Sequence, residues 1–461
     1  MSRLPTGSRK RLPAACVNRD DGTCTKGQNT LFTMPNCRRR LTGGWMQAAC
    51  LTCCVALSTA PAFAAQPIAD SDLTAQGMSR YWGASLPLPE GDLVADIYAV
   101  DDTVYVTTEG GLLYSVRADA GLIRWVEQVS TPNIPISKPQ HVWTPQGNGP
   151  VSVYAGQKLQ IIDRYAGLRL DEVDLTGFSL TSNPIGALRS FFFSTMDQMA
   201  YSYRFDLDGR FRKRWEVHTY GISEATPVLF GNRQILLTNL NGLVVACSAI
   251  DKSLSWHFKT AGAITGDPAV DDSGVYVASQ DRSLYKIDGR NGKQIWRVRF
   301  GSTLIQGPAV TPNSAYQYCT EEGLSAVDVT TGKKLWNRKD ATRLLAESGG
   351  HAVLTIGDSQ IAFVEIVSGN ETGVVDLVAP SVFATNTQND AVYLSTTDGH
   401  VLCTRPIGVP YLRASDGEQA AVSLNTAPAT GTDVEKAEKP GKTPEVSTTR
   451  SSDYFRSRKD R

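Results

Sequence analysis

The chain has 461 residues, of which 46 are basic and 46 acidic, so its formal net charge is zero. That balance leaves no electrostatic case for nucleic acid or for an anionic membrane surface as partner. Its apolar share of 41% suits a folded domain, but a chain this long exceeds one ordinary hydrophobic core, and a modular architecture is expected.

Residues 1–64 read as a leader. Arg38-Arg39-Arg40 is a basic stretch, Trp45 to Leu57 is uncharged and largely apolar, and Ala62-Phe63-Ala64 offers small residues at the two positions a signal peptidase reads. This is the order of a secretory signal peptide, with an apolar run too short to span a bilayer permanently. Cleavage is expected after Ala64, with Ala62 and Ala64 as the recognition residues. Met34 is a candidate start, and residues 1–33 are then an extension. Six of the nine cysteines lie at or before Cys54, and the remaining Cys247, Cys319 and Cys403 are an odd, scattered set, which argues against a disulfide framework. Cys50 follows Gln47 at the third position back, and Cys54 directly follows Cys53. Neither makes a good lipid-attachment motif. Residues 65–79 are expected to be a linker.

From there the chain repeats itself. RYWGASLPL, Arg80 to Leu88, carries an isolated Trp82. TVYVTTEGGLLYSVRADAGLIRW ends at Trp125. VSVYAGQKLQIIDRYAGLRL ends at Leu170, with leucine where tryptophan is expected. FFFSTMDQMAYSYRFDLDGRFRKRW ends at Trp215, with two extra residues in its last turn. The next three copies close at Trp256, Trp296 and Trp336, 40 residues apart, and a degenerate copy ends near Leu377. AVYLSTTDGHVLCT then supplies two strands with no closing tryptophan strand after them.

Within one copy, GVYVASQ and SLYKIDG are strand-length runs of β-branched and aromatic residues. In KQIWRVRF, Trp296, Val298 and Phe300 share one face and Arg297 and Arg299 the other. Short strands of period two separated by turn residues make an antiparallel meander. Asn291-Gly292 suits a tight hairpin, because both residues tolerate positive φ. A four-stranded unit cannot bury both faces alone and stacks on its neighbours; a repeat near 40 residues favours radial stacking. The expected fold is all-β: a β-propeller of four-stranded blades, eight in number, spanning 80–406. Its eighth blade is shared between the termini, with Trp82 in its outer strand. Trp82, Trp125, Trp215, Trp256, Trp296 and Trp336 are the expected blade-closing residues.

The repeat, carried best by Val275-Tyr276, Leu284-Tyr285, Asp288, Gly292-Lys293 and Trp296, and again by Asp328, Gly332-Lys333 and Trp336, resembles the pyrroloquinoline-quinone (PQQ) type propeller repeat. One branch of that family is the quinone-dependent dehydrogenases. The other is non-catalytic and typified by BamB, a propeller of outer-membrane β-barrel assembly. The dehydrogenase branch implies Ca²⁺ ligands, a tryptophan floor and adjacent cysteines over the quinone. The one adjacent pair here, Cys53-Cys54, lies in the leader. Asp163, Asp288 and Asp328 precede turns, where aspartate bonds its own backbone. His141, His218, His257, His351 and His400 share no metal-ligand spacing. Hence no catalytic, cofactor-binding or metal residue is assigned, and no cofactor is expected.

Residues 407–461, rich in Ala, Thr, Ser, Pro, Glu and Lys, read as a disordered tail. The reading is an exported, non-enzymatic, monomeric scaffold that binds a protein partner in the periplasm or cell envelope, associated with the outer membrane. Ile185 to Arg189, Tyr220 to Ala225 and Ile305 to Pro308 are expected rim positions between blades. The alternative is a periplasmic quinone- or metal-dependent oxidoreductase that uses the central channel.

Overall fold

The computed structural model of the chain describes residues 67–144, 147–205, 211–231 and 233–412. Among them are 32 strands and one helix of six residues. The strands form eight antiparallel four-stranded blades. In chain order these are blade 1 (94–128), blade 2 (140–174), blade 3 (185–218), blade 4 (228–259), blade 5 (269–299), blade 6 (309–338), blade 7 (341–376) and blade 8 (381–406). Blade 8 draws three strands from that last range; its outer strand, β1 (Met78–Ser85), comes from the other end of the chain and pairs with His400–Pro406. A single parallel pairing, Ala187 with Trp143, links the inner strands of blades 2 and 3.

Blade 5 shows why these residues make such a sheet. Its middle strands, Gly274–Ser279 and Ser283–Ile287, are buried at every position. Both their faces are covered, so small, β-branched and aromatic residues run without alternation. The outer strand, Gln294–Arg299, keeps one wet face: Trp296 and Val298 point in, while Arg297 and Arg299 point out. The turn before it differs from a tight Asn-Gly hairpin. Gly292 alone takes a positive φ, +73°, and Asn291 does not. The Asp288 carbonyl accepts from Gly292 N–H at 2.8 Å, and its carboxylate accepts from Arg290 N–H at 2.8 Å.

Eight hydrophobic clusters form the core, each holding residues of two neighbouring blades. The core is therefore a set of seams, as modular stacking requires. Blades 8 and 1 share one: Trp82, Tyr393 and Cys403 pack with Ile97, Val104 and Tyr114.

Residues 67–79 are not a linker. Asp70–Ala75 forms a short helix, α1, and Ile68, Leu73 and Met78 are buried in the seam between blades 7 and 8, with Leu345, Phe363 and Leu394. Asp70 pairs with Arg80 at 2.7 Å. At the other end, residues 407–412 fold back on the propeller. Ile407 N–H donates to Gly77 O at 2.9 Å, and Tyr411 meets the Tyr81 ring at 5.8 Å.

Candidate functional site

The recurring tryptophans have one geometry. Each sits on an outer strand directly after a register shift, as at Ser115/Val116 before Trp125 and Lys286/Ile287 before Trp296. A bulge re-aims the side chain, here toward the next blade. Each indole Nε1–H donates to a turn carbonyl of that blade. Trp82 reaches Ala118 at 2.8 Å, Trp125 reaches Arg164 at 2.9 Å, and Trp215 reaches Ala249 at 3.3 Å. Trp256 reaches Gly289 at 2.7 Å, Trp296 reaches Val329 at 3.0 Å, and Trp336 reaches Ile366 at 2.8 Å. In five of the six, all but Trp215, the ring packs against a turn glycine. A Cβ placed on Gly332 would stand 2.7 Å from Trp296 Cγ, and that glycine has φ +71°.

Two seams lack this fastening. The shift at Ile161/Ile162 in blade 2 is followed by Asp171, not by a tryptophan or by Leu170. Leu170 is 57% exposed, on the outward side of the strand. In blade 7 the shift at Phe363/Val364 is followed by Gly373, and Leu377 lies beyond the strand. The side chain of Gln76, just past α1, occupies the space a Cβ on Gly373 would enter. Seam 2/3 is filled instead by aromatics. Phe193 stacks on Tyr201 and Tyr203 at 5.7 and 5.8 Å, Tyr203 stacks on Phe211 at 4.7 Å, and Phe178 meets three of these rings edge-on.

The inner strands bring charged residues together at the axis. In blades 2 to 6 the inner strand follows an Xaa-Pro pair: Lys138-Pro139, Asn183-Pro184, Thr226-Pro227, Asp267-Pro268 and Gly307-Pro308. Proline fits there because an innermost strand is an edge and needs no donor on its free side. Thr226 N–H donates to Asp267 Oδ1 at 2.7 Å, so neighbouring blades touch at this level. Tyr98 pairs with Tyr105 as Ala269 pairs with Tyr276, which sets Asp96 of blade 1 level with Asp267.

A cavity of about 290 Å³ opens between blades 1, 2, 7 and 8, lined by Asp96, Tyr98, Lys138, Arg343, Phe383 and Thr385 among others. The Lys138 side chain is exposed to water in the channel, yet the protein crowded around it pulls its ammonium below the ordinary pKa, against the opposing pull of Asp267 and Asp101. Burial likewise raises the Asp96 carboxyl, against its bond to Tyr98 and the charge of Arg343. The recurring Xaa-Pro pair was the one sequence signal for this cluster.

The other sequence-derived residues are placed as follows. Asp163 and Asp328 accept from the backbone N–H groups of their own turns. Hydrogen bonds from Thr331 hold the Asp328 carboxyl below its usual range. His141 is buried in seam 1/2, its Nδ1 at 2.6 Å from Asp101 and its Nε2 at 2.9 Å from the Tyr105 hydroxyl. Cys247, Cys319 and Cys403 are buried and unbridged, and burial pushes the Cys247 thiol up to about 12. Ile185–Ala187 is the inner strand of blade 3 rather than a rim loop. Tyr220 and Ile305 lie between blades and are 49% and 59% exposed. Ala62 and Ala64 lie outside the described residues, as do the extra turn residues before Trp215.

Comparison with known proteins agrees with this architecture. A family model described as outer membrane protein assembly factor BamB matches residues 212–436. The crystal structure of BamB from Moraxella catarrhalis superposes with a TM-score of 0.56 at 16% identity, covering 73% of this chain and 99% of that one. The computationally designed Ika8 protein superposes with a TM-score of 0.53 at 14% identity, covering 69% of this chain and 98% of that one. A sequence search of curated proteins gives no match. The chain is an eight-bladed β-propeller, similar over residues 212–436 to the BamB family model and similar in fold to BamB.

Proposed function

We propose that this protein is an exported, non-catalytic scaffold that binds a protein partner in the periplasm or cell envelope and serves outer-membrane protein assembly, as BamB is described to do. The observation that carries the reading is the likeness to BamB, which runs through 99% of that protein's length. The repeat's own chemistry supports it. The indoles donate to turn carbonyls and the turn aspartates bind their own backbone, so the recurring residues serve the fold.

A rigid ring presents its loops as broad binding faces. The outer turns of blades 1 and 2 offer one such face. Leu122, Tyr165, Leu168 and Leu170 are 59%, 60%, 65% and 57% exposed, and Arg124 of blade 1 stacks over the Tyr165 ring of blade 2 at 5.5 Å. Apolar residues gathered in this way mark interaction surfaces more often than chance exposure does.

The test is a photo-cross-linker placed at Leu168 or Leu170 in cells. A discrete adduct with an outer-membrane assembly component, lost in Leu168→Glu/Leu170→Glu, is expected. Mass spectrometry of the same material should find Ala65 at the amino terminus. Reconstitution with PQQ and Ca²⁺ followed by dye-linked oxidation of alcohols or sugars is the counter-test, and turnover there replaces the scaffold with the oxidoreductase.

A further inference from the structure

We propose that residues 454–459 of this chain, the run YFRSRK, dock on the exposed apolar face of blades 1 and 2 and compete there with the protein partner. The competition rests on the partner-binding reading; the docking itself does not.

The described part of the chain stops beside that face. After blade 8 it turns back along β1: Arg405 Nη1 donates to Pro410 O at 2.6 Å, and Leu412 N–H donates to the Tyr81 hydroxyl at 3.1 Å. Leu412 packs on the core cluster that blades 8 and 1 share. Trp82, next to Tyr81, rests on Gly121 of blade 1, and Leu122 follows at once. Residue 454 lies 42 positions beyond Leu412. A random coil of that length spans about 35 Å. Blades 1 and 2 are therefore within reach, at the high effective concentration that a tether gives.

The face and the segment match in apolar content and in charge. Leu122, Ile123 and Val126 of blade 1 and Tyr165, Leu168 and Leu170 of blade 2 stand exposed. Tyr454 and Phe455 are the only aromatic residues after Tyr411, and aromatic side chains anchor well because they bury a large area at little entropic cost. The outer strand of blade 2, Arg169–Asp174, carries Arg169 against Asp171, Glu172 and Asp174. Lys158 pairs with Glu172 and Glu127 with Arg169, so those two additions cancel and two negative charges remain in surplus. Arg124 and Arg164 are balanced by Asp102 and Asp163, and Arg117 by Asp119. Residues 454–459 bring Arg456, Arg458 and Lys459 and no acid. The strand reads apolar then acidic, and the segment reads aromatic then basic, so a parallel alignment sets Phe455 by Leu170 and the cations by Asp171 and Asp174. The strand lies at the edge of its sheet, and an edge can accept a further strand through its backbone.

The experiment places a photo-cross-linking residue at position 455 of the purified chain and maps the adducts by mass spectrometry. Cross-links within one chain to Leu122, Leu168 or Leu170 are expected. They should fall about tenfold in Leu168→Glu/Leu170→Glu, and weaken in about 1 M salt, which screens the charges. Thermal unfolding shows that the double variant keeps its fold. Cross-links to another face, or none, overturn the docking and leave the partner reading standing. So do cross-links between copies, told apart by mixing light and heavy isotope-labelled chains. The competition is read in cells with the cross-linker at Leu122, where Tyr454→Ser/Phe455→Ser should raise the partner adduct severalfold. An adduct unchanged by that variant overturns the competition. No adduct in either chain overturns the partner reading and the competition with it, while the docking stands on its own cross-links.

Discussion

Seams 5/6 and 7/8 solve the same packing problem in opposite ways. In seam 5/6 one indole, from Trp296, lies on Gly332 and donates to Val329 O. Seam 7/8 has no hairpin for an indole to rest on, because the next strand of blade 8 arrives from the amino-terminal side. Gly373 stands at the tryptophan position, and a segment more than 290 residues earlier in the chain, with Ile68, Leu73, Gln76 and Met78, fills the space. The first solution lies within two adjacent repeats. The second needs the ring to meet. Local fastenings repeat with the sequence; the fastening at the junction is made once, from residues that belong to no repeat.

The largest expected effect is at that junction. Deleting residues 80–88 removes Trp82 and leaves His400–Pro406 as an open, mostly buried strand edge. The loss should exceed about 5 kcal/mol, more than any single tryptophan, because strand pairing and the indole go together. Thermal unfolding measures it. Equal stability in the deleted and full chains would mean that the junction contributes nothing, and the contrast between the seams would collapse.

Next come the single latches. Trp296→Ala and Trp82→Ala should each cost about 3–5 kcal/mol, the usual range for a buried aromatic truncated to alanine. Near-equal losses, read by denaturant unfolding, would show that an indole at the junction works as one inside the array does. A far smaller loss at Trp82 would show that α1 and the returning 407–412 segment carry that side of the ring.

Seam 1/2 adds a charge to its latch. Arg164 accepts the Trp125 indole through its carbonyl and gives its guanidinium to Asp102 at 2.5 Å, and Arg124 holds the other carboxylate oxygen at 2.8 Å. Burial raises the Asp102 pKa, but the bonds from Arg124 and the charge of Arg164 outweigh it, and the net shift is downward. A carboxyl lowered in the folded state stabilises above its unfolded pKa, and that stability is lost as pH falls through the folded value. Asp102→Asn should therefore cost about 3 kcal/mol at neutral pH by stranding two arginines. It should also flatten the decline in stability below pH about 4. An unchanged acid profile would mean that Asp102 is not ionised in the fold.

The sequence made the ring legible through its period, its tryptophans and its turn aspartates, since each of these acts within one repeat and its neighbour. What escaped acts across repeats or against appearance. Leu170 looked like the missing tryptophan because it is large and apolar, but the bulge fixes the inward position one residue later, at Asp171. The α1 segment, DSDLTA, is too polar to announce burial, and Leu73 alone carries its contact with the core. Lys138 and Arg343 line one cavity only because the ring brings blades 2 and 7 round to one axis. The aromatics of seam 2/3 were visible as FFF and YSY, but nothing local says that they stand in for an indole.

The smallest effect is the most specific. Five latch turns carry glycine with positive φ, from +68° at Gly121 to +75° at Gly369, and the turn under Trp215 carries Lys252 at φ +59°. A side chain in that conformation crowds the following carbonyl, at about 1–2 kcal/mol. The associated indole bond, Trp215 to Ala249, is the longest of the six at 3.3 Å. Lys252→Gly removes the crowding and lets the turn close as it does under Trp256. Against this stands the greater freedom glycine gives the unfolded chain, about 0.5–1 kcal/mol. The exposed Lys252 ammonium, 3.5 Å from Glu216 O, is a weak loss. The balance favours the variant by about 0.5 kcal/mol, read as a higher denaturant midpoint with an unchanged slope. A lower midpoint would show that the lysine is suited to its turn, and that the geometry of this latch is set by blade 3 rather than by the residue beneath the ring.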